Sequence, residues 1–199
     1  MKKLRFLIVS GLLLAVLQSC GNAGDTGKDS KETADSINEA RTDNPPATPS
    51  TPASPVSEDD AKFAVDAASG GMAEVNFAEL AKQKGANTQV RDFATMMITD
   101  HTKANDELKA IAQRKNIVLP ADLTDGQKDT RNGLEKRMGA DFDKAYIALM
   151  TDEHKRTIKM FEDASGKVTD ADLKAFIDKT LPALKQHLEH VESIRKIVK

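Results

Sequence analysis

From about residue 57 onward, apolar side chains return every three or four positions and do not alternate as they would along a half-buried strand. One stripe runs through Phe63, Ala67, Gly70, Phe77, Ala78 and Ala81, and a second through Val90, Phe93, Ala94, Met97, Ala104 and Leu108. A third contains Tyr146, Met150, Thr157 and Phe161, and a fourth Leu173, Phe176, Leu184, Val191 and Ile194. Four long amphipathic helices follow, and the domain is expected to be all-α. Ser57 is a suitable N-cap for the first, with Glu58, Asp59 and Asp60 favouring the positive end of its dipole and Gly85 stopping it. Asn87 can cap a second helix to about Lys115. Thr124 can start a short one ending near Gly139, Asp141 can cap a long one to Ser165, and Thr169 can open the last.

Two connections are tight and one is long, so the long helices should form two antiparallel hairpins. The roughly 25 residues between the pairs suffice to travel the length of a bundle. The expected fold is a ferritin-like four-helix bundle with one long crossover that contains a short extra helix. Gly70 and Gly71 cost helix propensity but let a neighbouring helix approach closely.

Each stripe is interrupted by an ionisable side chain. Glu74 interrupts the first, His101 the second, His154 the third with Asp143 at its start, and His187 the fourth, while His190 falls at the stripe's edge near solvent. The run Phe93, Met97, Asp100, His101 repeats in type and spacing as Tyr146, Met150, Glu153, His154. The i, i+4 relation sets Met97 beside His101 and Met150 beside His154, while Asp100 and Glu153 turn about 100° away toward the helix flanks, as interhelical or solvent pairs rather than ligands. Counting helical rise from the hairpin turns puts His101 and His154 at one level, with Glu74 within a turn. It displaces His187 by about 9–10 Å, to the level of the methionines.

This layer admits three readings. A hydrogen-bonded polar core is one, with Asp143 and Tyr146 as structural members. Another is a transition-metal site drawing on Glu74, His101, His154, His187 and the thioethers of Met97 and Met150. Neutral imidazoles and a carboxylate can share an ion without leaving a buried charge unpaired, and sulfur favours copper over hard ions. Acid–base catalysis through Glu74 or His101 is the third; no Ser or Cys nucleophile has an evident His partner, so no catalytic residue is assigned. Dinuclear carboxylate chemistry is disfavoured. It requires Glu-x-x-His, and the residues three before His101, His154 and His187 are Ile98, Thr151 and Leu184.

The N-terminal region has a different character. Lys2, Lys3 and Arg5 precede the apolar run "FLIVSGLLLAVL", which is short for a bilayer span, and "LQSC" then ends at Cys20, the chain's single cysteine. The arrangement resembles a bacterial lipoprotein signal peptide over residues 1–19, with cleavage before Cys20 and lipidation of that residue. Gly21 after Cys20 resembles the sorting pattern of outer-membrane lipoproteins. Residues 20–57 are rich in Ser, Thr, Pro and small polar residues and nearly devoid of large apolar ones, so a disordered tether is expected before a domain at 58–199. The chain carries 29 Lys and Arg against 31 Asp and Glu, and no basic stripe is interleaved with aromatics, so nucleic-acid binding is disfavoured.

The segments "FAVDAASGGMAEVNFAELA", "VRDFATMMITDHTKAN", "FDKAYIALMTDEHKR" and "LPALKQHLEH", in that order, resemble the bacterial domain-of-unknown-function family 4142. These are predicted envelope proteins assigned to the ferritin-like superfamily. The resemblance covers about Glu58 to Val198 and implies a helical bundle, often exported, with no agreed activity, substrate or metal. The combined expectation is a lipid-anchored envelope protein held to the membrane through Cys20, with a non-enzymatic structural or binding domain. The alternative is a copper- or iron-binding envelope stress protein.

Overall fold

The computed structural model describes residues 28–43 and 56–198. The signal peptide and Cys20 lie outside the described residues. The elements, in order, are α1 (Ser30–Asp43), α2 (Glu58–Lys84), α3 (Thr88–Lys115), α4 (Asp125–Glu135), α5 (Gly139–Ser165) and α6 (Ala171–Arg195). No described helix is long and apolar enough to cross a membrane.

Helices α2, α3, α6 and α5 sit at the corners of a square, each packed on its two neighbours. The start of α5 meets the α2–α3 turn, where Asp143 accepts hydrogen bonds from the backbone N–H groups of Ala86 and Asn87. The start of α2 meets the α5–α6 loop, where Asp60 accepts from Thr169 and Asp170. Neighbours on the square are therefore antiparallel. The connection from α3 to α5 runs back along the full bundle and carries α4, as the expected crossover requires. Gln127 ties α4 to α2 by donating to the Ser69 carbonyl and hydroxyl.

Local chemistry sets most helix ends. Ser57 and Asp60 form a reciprocal capping box, as do Thr124 and Gln127, and the Asn87 side chain accepts from Gln89 N–H. Asn116 closes α3 in the left-handed region at φ 58°, which asparagine tolerates. Two ends differ from expectation. Helix α5 begins at Gly139, at φ 57°, leaving Asp141 within the first turn; its N-cap position is Met138, which makes no side-chain cap. Asp170, not Thr169, caps α6, because Thr169 is drawn to Asp60 through both its N–H and its hydroxyl. Pro182 lies inside α6 and withholds one backbone donor.

The disordered tether expected over 20–57 is corrected over Ser30–Asp43, which is helical and docked. Its adhesion is largely polar, which a search for large apolar residues overlooks. Asn38 is buried and exchanges two hydrogen bonds with the backbone of Val118, each 2.8 Å. The Ser30 hydroxyl accepts from Ala121 and Asp122 N–H, Lys31 pairs with Asp66 on α2, and Ala34 is the buried apolar contact.

The bundle interior is divided. Toward the α5–α6 end, Phe63, Phe161, Phe176, Leu173, Ile177 and Leu108 belong to one apolar cluster, with Phe63 edge-on to Phe161 at 5.1 Å between centroids. Toward the α2–α3 end, Phe77, Phe93, Phe142, Tyr146, Met97 and Met150 belong to another. Burying each such side chain contributes about 1.5–3 kcal/mol. Between the clusters lies a polar layer. Gly71 permits a close α2–α3 approach, since a Cβ there would stand 2.1 Å from Asn105 Oδ1; Gly70 faces open space and has no such role.

Candidate metal centre

The layer between the two apolar clusters brings together Glu74 from α2, His101 from α3, His154 from α5 and His187 from α6, all buried. The three imidazole centroids form a triangle with sides of 5.2, 5.6 and 5.7 Å. One nitrogen from each ring lies within 4.8 Å of those from the other two. The expected displacement of His187 by most of two turns is thus corrected. Helical side chains lean toward their own N-terminus. On α3 and α5 that direction is the α2–α3 end, and on α6 it is the opposite one, so rings rooted at different heights converge.

Each ring has one nitrogen facing an oxygen and one without a partner. His154 Nδ1 lies 2.9 Å from the Met150 carbonyl, which only accepts, so Nδ1 carries the hydrogen and Nε2 keeps its lone pair. His187 Nε2 lies 2.9 Å from Asp100 Oδ2, which assigns the hydrogen to Nε2 and the lone pair to Nδ1. His101 Nδ1 is 3.0 Å from Glu74 Oε2, an ion-pair distance, although the oxygen sits off the ring N–H direction and makes no aligned hydrogen bond. Glu74 Oε1 is 3.6 Å from His154 Nδ1. Glu74 therefore lies beside the imidazole triangle, against the nitrogens that face away from the remaining free ones.

Among the described residues, six buried side-chain polar atoms lack a hydrogen-bond partner. They are both Glu74 oxygens, His101 Nε2, His154 Nε2, His187 Nδ1 and the Tyr146 hydroxyl. Folded proteins leave few such atoms, because each costs about 1–3 kcal/mol. Here five belong to residues of one layer. Tyr146, one cluster away on α5, senses the Glu74 charge.

The electrostatics separate the three rings. Burial disfavours the charged form of His101, but the facing Glu74 carboxylate outweighs it and holds that imidazole above its ordinary value. Burial alone would raise the Glu74 carboxyl, yet the neighbouring imidazoles, His101 foremost, hold it below the usual range. His154 and His187 are both pushed down by burial, against the pull of Glu74 on His154 and of Asp100 on His187. Burial thus favours the neutral form of His154 and His187, while the facing carboxylate favours the charged form of His101. Burial and Glu74 also raise the Tyr146 phenol far above its usual value.

The other singled-out residues fall outside the triangle. Met97 and Met150 are fully buried one turn before His101 and His154 and belong to the apolar cluster on the α2–α3 side. Asp143 serves the α2–α3 turn. His190 is exposed, its ring edge-on to Phe93 at 5.4 Å. Asp100, expected on a helix flank as an interhelical or solvent pair, makes the interhelical one with His187; what the sequence left open was the partner. The flank of α3 faces α6, a neighbour relation that spacing within one helix does not contain.

Fold and site together define an all-α bundle whose apolar core is interrupted by an imidazole-rich layer. The family model described as Domain of unknown function (DUF4142) matches residues 45–194, and the chain belongs to that family. Helix α1 lies outside the matched range. A comparison with curated proteins finds no match. Among solved structures, the crystal structure of a DUF305 fragment from Deinococcus radiodurans is similar, with a TM-score of 0.65 at 10% identity, covering 72% of this chain and 99% of that one. This likeness concerns the fold alone.

Proposed function

We propose that the protein is a metal-binding helical domain of the cell envelope, holding a first-row transition ion between His101, His154 and His187. The carrying observation is that each of the three clustered rings offers a buried nitrogen with no partner, while the other nitrogen of His154 and of His187 is hydrogen-bonded and that of His101 stands at ion-pair distance from Glu74. Histidines that ligate metals commonly have this arrangement: the outer partner fixes the tautomer and raises ligand basicity. Donors around a tetrahedral ion at about 2.0–2.1 Å per bond stand about 3.3 Å apart, and one nitrogen from each ring already lies within 4.8 Å of the others, so modest side-chain rotation would close the set.

An all-imidazole set suits copper or zinc. Iron(II) oxygenase sites add a carboxylate ligand, and Glu74 is committed to His101. Binding displaces the His101 proton, so uptake should release it and weaken as pH falls. The loaded ion would join three corners of the square, α3, α5 and α6, and supply Lewis acidity at the bundle centre.

Elemental analysis after loading with copper or zinc, for wild type and for His154→Ala, tests this. One equivalent in wild type and none in the variant is expected; no stoichiometric metal under either redox condition refutes it. A purely structural polar layer is the second reading, favoured by the Glu74–His101 ion pair, and it predicts metal-independent stability. The envelope address rests on the lipoprotein-like box ending at Cys20. Lipid chains at that residue would anchor the domain without a spanning helix. Cys20→Ala should move the protein from the membrane to the soluble fraction, and firm membrane retention would contradict the anchor.

A further inference from the structure

Glu74 and His154 are enclosed within the bundle, but His101 and His187 also reach the wall of a surface cleft between α3 and α6. The cleft has a volume of about 210 Å³ and is bordered by Ala104, Ala183, Lys103 and Lys179. The second recorded cavity, about 570 Å³ beside Met72 and Pro120, touches none of the three rings. Asp100 stands in the α3–α6 cleft with a side chain 47% exposed, and its Oδ2 meets His187 Nε2 at 2.9 Å. Glu107, the other carboxylate of the cleft, is paired with Lys179, so Asp100 is the cleft carboxylate in contact with a ligand ring and the group that fixes its orientation.

Resting on the metal-site reading above, we propose that the α3–α6 cleft is the port through which the ion reaches the three histidines. Asp100 is a positioning residue that holds His187 with Nδ1 turned inward. The port lies between helices of different hairpins, α3 of one and α6 of the other. Ala104 and Ala183 supply little bulk at its walls, and Asp100 and His187 are the paired side chains that stand there.

The test uses the full-length protein with copper(II) alone, reading affinity, loading rate and the electron paramagnetic resonance signal. Asp100→Ala should lower affinity about 10–100-fold, the usual loss for an outer partner of a ligating histidine. Asp100→Asn keeps an acceptor oxygen and should recover part of that loss. Both should alter the copper signal, and Asp100→Asn should restore affinity more than a residue with a merely structural role would allow. Ala183→Trp and, independently, Ala104→Trp should slow loading about tenfold or more with affinity retained. Glu153→Gln, whose partner Arg156 is on the same helix, is the control and should change neither. Unaltered affinity and signal in Asp100→Ala, or unaltered loading in both tryptophan variants, overturns this proposal alone. A wild-type protein that takes up no copper removes the metal site and the port together.

Discussion

Replacing Asp60 with alanine should be among the most damaging single changes outside the apolar core. The side chain is 1% exposed and accepts five hydrogen bonds, from the N–H and hydroxyl of Ser57, both groups of Thr169 and the N–H of Asp170. It thereby closes the capping box of α2 and fastens that end to the loop between α5 and α6. A hydrogen bond to a charged group contributes about 1.5–3 kcal/mol net. The five are not additive, and water can enter at the bundle end to satisfy some of the abandoned donors. A loss of about 3–4 kcal/mol follows, or about 10–15 °C in melting temperature for a domain of this size. Burial opposes the charge, but the bonds from Ser57, Asp170 and Thr169 outweigh it and hold the carboxyl below its ordinary 3.8. A depressed folded value means that the contribution is present above about pH 4 and disappears as pH falls through the folded value. Denaturant unfolding of wild type and Asp60→Ala from pH 7 to pH 2.5 should therefore give curves that converge in acid. A difference below about 1 kcal/mol at pH 7, or one that stays constant down to pH 2.5, would refute the reasoning.

Glu74→Gln removes the charge that holds His101 protonated, so burial should dominate and the imidazole should fall below its ordinary 6.5; ring proton shifts in an NMR titration measure this directly. In the wild type the raised His101 value adds stability below about 6.5 that is lost as pH rises through the folded value, and the variant should lack this slope. Asn38→Ala removes both bonds to Val118 and should cost α1 about 1–3 kcal/mol of docking. Hydrogen exchange should then quicken along α1 and remain unchanged in the middle of α2, α3, α5 and α6, and a uniform change would show that α1 is not a separable unit.

Much of the fold follows from spacing and caps. The stripes on α2, α3, α5 and α6 are long and regular, and two short turns and one long connection leave few ways to arrange them. The same stripes show that Glu74, His101, His154 and His187 face inward, because an i, i+3, i+4 pattern defines a face whatever packs against it. Helix α1 escaped that logic. Its docking rests on Asn38, Ser30 and Lys31, polar residues whose partners are about 80 and 91 positions away, or on α2, and composition alone reads them as solvated.

For the four long helices, sequence showed that Glu74 and the three histidines enter the interior; the tertiary structure decided where along it they meet. Distances along one helix follow from a fixed rise per residue, so the pairing of Met97 with His101 and Met150 with His154 needed no coordinates. The convergence of His187 with the other two rings depends on α6 running opposite to α3 and α5, which reverses the lean of its side chains. The bond from Asp100 to His187 likewise depends on α3 and α6 being neighbours across the square. Such relations are set by how whole helices pack, and no window of residues along the chain contains them.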